Sequence, residues 1–380
     1  MAKKIRINDK KGKNKVKKKI KPNKPKEKKK EKKKTEFGQG NNQGNVNTRG
    51  GNNPKEIIGI KDLEKSVLEY IIGQDEQVRQ IITAIYRAMA FQSIKSNVLV
   101  IGNSGTGKTA TVKQIAEILN IPYTIEDATK YTQEGYYGSD VTDMVYNLIQ
   151  SADNDLERAS RGIIIIDEID KKTADGTEHD VAGVEVLKSL LKIIEGSTVM
   201  VQPEDFMEEP VPFNTQNVII IFMGAFPGLN RIRDTRLNRN VFGFGQTKSE
   251  AEGIPKYIKQ DLVKYGLPEE FVGRIDTIIE MNNLGKNELA QILTHSKLSI
   301  FRKYEIELKM LGVALKYENS IFDAIAEASL ELDTGARELS NTVNYIFDHI
   351  TYEILANPGK FSKCKLLNGI VEDNTKYQLS

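Results

Sequence analysis

Gly102-Asn103-Ser104-Gly105-Thr106-Gly107-Lys108-Thr109 follows the apolar run Val98-Leu99-Val100-Ile101 and precedes Ala110 to Leu119, a stretch of helical character. A strand, a glycine-rich turn ending in Lys-Thr and a helix make the setting of a phosphate-binding loop. The glycines let backbone N–H groups turn inward on a polyphosphate, and the positive end of the following helix points at it. Lys108 reaches the outer phosphates and Thr109 offers a hydroxyl to Mg²⁺. The bare string arises by chance in roughly a few per cent of chains this long, so what lies downstream matters.

Downstream stands Ile163-Ile164-Ile165-Ile166-Asp167-Glu168-Ile169-Asp170. Four consecutive isoleucines predict a central strand buried on both faces of a parallel sheet. Asp167 at its carboxyl end is placed to hold Mg²⁺ through water, the second acidic partner of a phosphate loop. Glu168 is placed to orient and deprotonate a water attacking a γ-phosphate. Carboxylates that merely mark a strand end are the alternative, and a phosphate loop 59 residues earlier makes it a poor one.

Composition narrows the setting. The chain has 380 residues, 39% of them hydrophobic, enough for two or three domains with cores. Its apolar runs are far shorter than a bilayer span and its N-terminus lacks a signal-peptide core, so a cytoplasmic protein with no membrane contact is expected. One cysteine, Cys364, forbids an internal disulfide and a multi-cysteine zinc site, and three scattered histidines offer no cluster. The expected cofactors are ATP and Mg²⁺, without zinc.

The net charge of +3 conceals a division: residues 1 to 34 carry 18 Lys and Arg6 against Asp9, Glu27 and Glu31, a net of +16 that leaves −13 for the remainder. So charged and apolar-poor a segment is expected to be disordered. It serves either as a solubilising arm or as a charge-based hold on RNA, DNA or an acidic protein, and no aromatic residues are interleaved for base stacking. Residues 38 to 53, rich in Gly and Asn, read as a linker.

Elsewhere the pattern predicts helices over Asp62 to Tyr70 and, capped by Asp75, to about Phe91, with Val78, Ile81, Ile82, Ile85 and Met89 on one core face. The elbow Tyr70-Ile71-Ile72-Gly73-Gln74 between them offers apolar walls to an adenine ring. Tyr123 to Glu126 reads as a strand, Asp140 to Ser151 and Val181 to Ile194 as helices, residues 196 to 216 as a loop or loose hairpin, and Val218 to Phe222 as a buried strand. No polar residue capable of sensing a γ-phosphate ends that last strand, where Met223 and Gly224 sit. Tyr136 and Tyr137, bracketed by Gly135 and Gly138, either anchor a loop in the core or act in it. Phe242-Gly243-Phe244, in a charged loop, either folds back or grips a partner. Arg274 follows a helix end at Pro268 to Gly273 and can be a simple surface charge. Residues 286 to about 311, Ser320 to Leu330 and Ala336 to Leu355 read as helices, with a short strand near Val313 to Tyr317. Arg337 falls in the first turn of the last helix, where a cation opposes the dipole, which suggests a role elsewhere. Apolar strands alternating with helices predict a doubly wound α/β domain with nucleotide at the strands' carboxyl ends. The predicted domains are an arm and linker over 1–55, a large nucleotide-binding domain over 56–283 and a helix-rich lid over 284–380.

From about Leu63 onward the order of motifs resembles the ClpX family of AAA+ protein unfoldases. Tyr70 to Gln74 is similar to the family's adenine-side box, Gly102 to Thr109 to its Walker A loop, and Ile163 to Asp170 to its Walker B strand. Gly135-Tyr136-Tyr137-Gly138 resembles its pore loop, Phe242-Gly243-Phe244 its peptidase-docking tripeptide, Phe271-Val272-Gly273-Arg274 its arginine-finger segment, and Gly335-Ala336-Arg337 its sensor 2. The related HslU family carries a large insertion between Walker A and Walker B for which this spacing leaves no room. The resemblance implies an ATP-driven homohexameric ring that unfolds protein substrates and delivers them to a ClpP-like peptidase. It casts Lys108, Asp167, Glu168, Arg274 and Arg337 as the catalytic group. It assigns nucleotide contacts to Ile72, Gly102, Asn103, Ser104, Gly105, Thr106, Gly107, Lys108, Thr109, Ala110 and Arg337, and Mg²⁺ to Thr109 and Asp167. Three departures stand out: no zinc-binding N-terminal domain, no basic pore-entrance loop in the acidic 196–216 stretch, and Phe242 where the family has an aliphatic residue. Two other readings remain, a remodeller that works without a peptidase and a nucleic-acid-bound ATPase using the arm.

Overall fold

The four isoleucines Ile163 to Ile166 occupy the second strand from one edge of a five-stranded parallel sheet. In the computed structural model, residues 58–91, 96–131, 141–173, 179–202, 209–239, 257–331 and 335–380 are described. The lysine-rich arm, Tyr136, Tyr137 and Phe242-Gly243-Phe244 lie outside them. The described residues all belong to one compact unit, Glu56–Ser380.

The chain opens with α1 (Ile60–Leu68) and α2 (Asp75–Ala90), then β1 (Asn97–Ile101) and α3 (Lys108–Leu119). There follow β2 (Tyr123–Asp127), α4 (Val141–Ser151), α5 (Leu156–Ala159), β3 (Ile163–Asp167) and α6 (His179–Ile194). An antiparallel hairpin of β4 (Thr198–Val201) and β5 (Val211–Asn214) leads to β6 (Ile219–Gly224), α7 (Leu229–Arg239), α8 (Lys259–Tyr265), α9 (Glu269–Gly273) and β7 (Thr277–Glu280). The rest comprises α10 (Lys286–Thr294), α11 (Ile300–Met310), β8 (Ala314–Lys316), α12 (Ser320–Glu331), α13 (Ala336–Ala356), β9 (Lys363–Leu366) and β10 (Tyr377–Leu379).

The sheet runs β2-β3-β6-β1-β7, every neighbour parallel. Because successive side chains alternate across a strand, Ile163 and Ile165 enter one core with α1, α2 and α3, while Ile164 and Ile166 enter the other with α4 and α6. All four are buried, as are Val98 to Val100 in β1 and Ile220 to Met223 in β6. Each such side chain contributes about 1.5–3 kcal/mol of burial free energy. A third core, from Leu284 to Ile370, is built by α10 to α13 and the small sheet β10-β9-β8, around Phe301, Phe322 and Phe347.

Several local expectations change. Gln74, not Asp75, occupies the N-cap of α2; Asp75 is the first helical residue, where its charge complements the dipole. Met89 is 45% exposed, because the apolar face of α2 ends at Ile85. The helix expected over 286–311 breaks at residues 295–299, where the Lys297 N–H donates to Glu69 O, the Ser296 hydroxyl to Tyr70 O, and Ser299 caps α11 by accepting from Arg302 N–H. α7 was not legible, since it lacks an apolar stripe. Burial of Phe226 and Leu229 fixes its start, and Arg236 pairs bidentately with the fully buried Asp261 of α8 at 2.9 Å. Strands β9 and β10 likewise carried no clear pattern.

Candidate nucleotide site

Gly102 leaves β1 with its N–H donating to Gly224 O at 3.1 Å, so the loop starts from the carboxyl edge of the sheet. A Cβ there would lie 2.8 Å from Met281 Cβ and 2.9 Å from Thr106 Oγ1, which restricts the position to glycine. Thr106 Oγ1 donates to Asn103 O at 2.9 Å and closes the loop on itself. Lys108 Nζ donates to Gly102 O (2.6 Å) and Asn103 O (3.1 Å), holding the ammonium across the loop's mouth. Its pKa lies below the usual lysine value because burial disfavours the charged form; Asp167 and Asp170 pull it up, and Arg337 adds to the lowering.

The isoleucine strand delivers its carboxylates beside this loop. Thr109 Oγ1 donates to Asp167 Oδ2 at 3.1 Å, and Asp167 Oδ1 accepts the Glu168 N–H at 2.9 Å. A hydroxyl and a carboxylate are hard oxygen donors of the type Mg²⁺ takes alongside phosphates and water, so these residues fit that ion. Glu168 is exposed and held at φ 57°, ψ 33°, a left-handed conformation that costs a non-glycine residue about 1–3 kcal/mol and concentrates at functional sites. Together with Ser104 and Arg337 these groups line a cavity of about 390 Å³. Asp170 and Lys171 line it too. Buried Asp170 accepts the Phe226 N–H at 3.2 Å. The sequence offers Asp170 within the carboxylate-rich run but assigns it no role. At the end of β6, buried Met223 places its Sδ 3.8 Å from Thr109 Oγ1.

An apolar cavity of about 290 Å³ adjoins it, sharing Gly105, Gly107, Ala110 and Ala336, with Tyr70, Ile72, Leu284 and Leu339 among its walls. The elbow between α1 and α2 thus meets α10, α11 and α13 over the loop. Gly335 approaches most closely: at φ 59°, a Cβ would lie 3.1 Å from Ser104 O. Next to it the Ala336 N–H donates to Gly105 O at 3.1 Å.

Arg274 is elsewhere. Asn97, the first residue of β1, donates from Nδ2 to Arg274 O at 2.9 Å, its N–H donates to Asp276 Oδ2 at 2.8 Å, and its carbonyl accepts the Asp276 N–H at 2.8 Å. The phosphate loop leaves the opposite end of β1, about 13 Å away at the rise of a strand. The Arg274 side chain is exposed and ion-paired to Glu195. Lys108, Thr109, Asp167, Glu168 and Arg337 therefore converge, and Arg274 does not join them. Sequence reading also missed a polar knot beneath the loop, where Gln74 and Gln77 each bond to Asn282. Its only signal was two glutamines at the start of an apolar helix.

Fold and site together define a nucleoside-triphosphatase of the AAA class, and residues 93–278 match the family model of the AAA domain (Cdc48 subfamily). Two relatives carry the description ATP-dependent Clp protease ATP-binding subunit ClpX. That of Bacteroides thetaiotaomicron is 35% identical over 350 residues, 86% of this chain and 83% of the relative. That of Borrelia duttonii is 37% identical over 324 residues, 79% and 76% respectively. The chain belongs to the ClpX family of Clp protease ATP-binding subunits and is an ATPase.

Proposed function

We propose that this chain forms a homohexameric ring that hydrolyses ATP to unfold and translocate protein substrates, and that it hands them to a ClpP-like peptidase. The observation that carries the reading is the convergence of Lys108, Thr109, Asp167, Glu168 and Arg337 on one cavity while Arg274 sits on the far edge of the same sheet. A cation so far from its own loop supports a role at a neighbouring subunit's loop. Phe242-Gly243-Phe244 docks the peptidase, and Tyr136 and Tyr137 grip polypeptide in the pore.

The geometry supports the following roles. Lys108 exchanges its two loop carbonyls for β- and γ-phosphate oxygens, and the N–H groups of Gly105, Gly107, Lys108 and Thr109 orient the same chain of phosphates. Mg²⁺, held by Thr109 and Asp167, supplies charge neutralisation of the phosphates when bound. Glu168 accepts the proton of the attacking water. Arg274 of one subunit stabilises charge on the γ-phosphate in the next, and Arg337 reports that phosphate to α13. Ile72 and its apolar neighbours exclude water from the adenine. With the large domain ending near residue 283 and the lid beginning at 284, hydrolysis turns the lid against the body.

Glu168→Gln tests the reading directly. The variant is expected to bind ATP, to lose about two to four orders of magnitude in turnover, and to retain protein substrates on pull-down together with the peptidase. Unchanged turnover removes Glu168 as the base. Loss of the peptidase from Phe242→Ala/Phe244→Ala, with ATPase intact, supports docking; a ring that never binds a peptidase defeats that part alone. Among the described residues no helix is long and apolar enough to cross a membrane, and cytoplasmic fractionation is the matching expectation.

A further inference from the structure

We propose that Gln74 is a positioning residue that ties the lid to the phosphate loop, so that the lid's angle follows the nucleotide held there. The proposal rests on the reading that the lid turns against the body, and adds the residue through which it does so.

The Gln74 side chain is fully buried. From one nitrogen it donates to Thr106 O in the phosphate loop at 3.1 Å and to Asn282 O at 2.8 Å, while its Oε1 accepts the Asn282 N–H at 2.9 Å. One amide thus joins two backbone segments that lie 32 and 208 residues along the chain. Asn282 stands two residues before Leu284, the first member of the lid core. Its side chain is held in turn, Nδ2 donating to Gly73 O at 3.1 Å and Oδ1 accepting from Gln77 Nε2 at 3.1 Å.

The lid grips the other end of the same elbow. Ser296 Oγ donates to Tyr70 O at 2.5 Å and the Lys297 N–H to Glu69 O at 2.9 Å. Between these ends Gly73 faces Glu288 so closely that a Cβ would lie 2.9 Å from Glu288 Cγ. Residues 69 to 74 are therefore fastened to the lid along their length and to the loop through Gln74. Thr106 lies between Gly105 and Gly107 of the loop that cradles the phosphates, and any shift of its carbonyl pulls on the amide that also holds Asn282. An amide that makes directional bonds on both sides passes such a shift on; an apolar side chain of equal volume does not.

The test uses the full-length ring. Spin labels are placed at Lys113→Cys on α3 and Lys365→Cys on β9, both exposed, and labelled chains are diluted into unlabelled ones. Buried Cys364, its thiol pushed up to about 11, stays unlabelled. Distances are read without nucleotide, with ADP and with a slowly hydrolysed ATP analogue. In Gln74→Met the distance is expected to stop responding to nucleotide, with analogue affinity within about threefold of the parent and kcat down about tenfold at little-changed KM. Gln74→Glu keeps the acceptor for Asn282 but loses both donors, and gives the same result if the methionine variant does not fold. Variants whose distance shifts as in the parent overturn the proposal while leaving lid motion standing. A parent that shows no shift overturns lid motion itself, and the proposal with it.

Discussion

The Ala336 N–H donates to the Gly105 carbonyl at 3.1 Å, so the first turn of α13, the longest helix among the described residues, is bonded to the phosphate loop. Gly335 makes that approach possible through its positive φ and the 3.1 Å gap that a Cβ would leave to Ser104 O. Gly335→Ala is expected to introduce about 1–3 kcal/mol of strain and to push α13, with Arg337, off the loop. ATP affinity measured by calorimetry should fall while the circular dichroism spectrum keeps its helical content. Unchanged affinity would show that the contact has no bearing on binding.

Burial holds the Lys108 ammonium below the usual lysine value in the nucleotide-free protein. The folded chain then gives up this proton at a lower pH than the unfolded chain, and between the two values the unfolded chain binds more protons. Stability of the free protein should therefore rise with pH across that alkaline window. Phosphates favour the charged form, so ATP binding takes up a proton there and affinity should decline as pH rises through the free-protein value. Lys108→Arg, whose charge does not titrate in this range, should flatten the decline; titration calorimetry in buffers of different ionisation enthalpy reads the proton directly.

The Arg274 carbonyl accepts from Asn97 Nδ2 at the end of β1 opposite the phosphate loop. Arg274→Ala is expected to reduce turnover on the order of a thousandfold or more with ATP binding retained. Mixing that variant with Glu168→Gln should restore part of the activity, because an intact Glu168 in one subunit can then meet an intact Arg274 from the next. Mixed rings as inactive as either parent would place Arg274 outside the neighbour's site.

Arg236 and Asp261 form the most buried ion pair among the described residues, with side chains 13% and 0% exposed. They join α7 to α8 on either side of residues 240–256, the segment that carries Phe242 and Phe244. Asp261 also accepts the Ile258 N–H at 3.1 Å. Asp261→Ala leaves a buried guanidinium without its carboxylate and should cost about 3–5 kcal/mol in denaturant unfolding. The double change Arg236→Met/Asp261→Leu should recover much of the loss; a double variant as unstable as the single one would show that packing, not charge, dominates there.

Sequence reading recovered the parts of this molecule whose chemistry repeats along the chain. The alternating cores follow from Val98 to Ile101 and from Ile163 to Ile166, because a strand buried on both faces needs no partner to be recognised. That Lys108, Thr109, Asp167 and Glu168 line one cavity is legible for a related reason: each lies at a fixed offset from a strand end. What escaped depends on contacts between distant segments. Gln74 reads only as the last residue of the Tyr70 to Gln74 elbow until Thr106 and Asn282 are brought to it, and α7 has no face of its own until Asp261 arrives. The break at Ser296 to Ser299 is imposed by Glu69 and Tyr70, more than two hundred residues earlier.

β1 has a consequence for how a ring of such chains would communicate. Five residues, Asn97 to Ile101, carry the phosphate loop at one tip and the backbone of Arg274 at the other, with parallel strands hydrogen-bonded along both sides. An extended strand inside a sheet hardly changes length. In a ring of the proposed kind, displacement of the loop in one subunit would reach the Arg274 backbone with little loss, and β1 would act as a push-rod between consecutive sites.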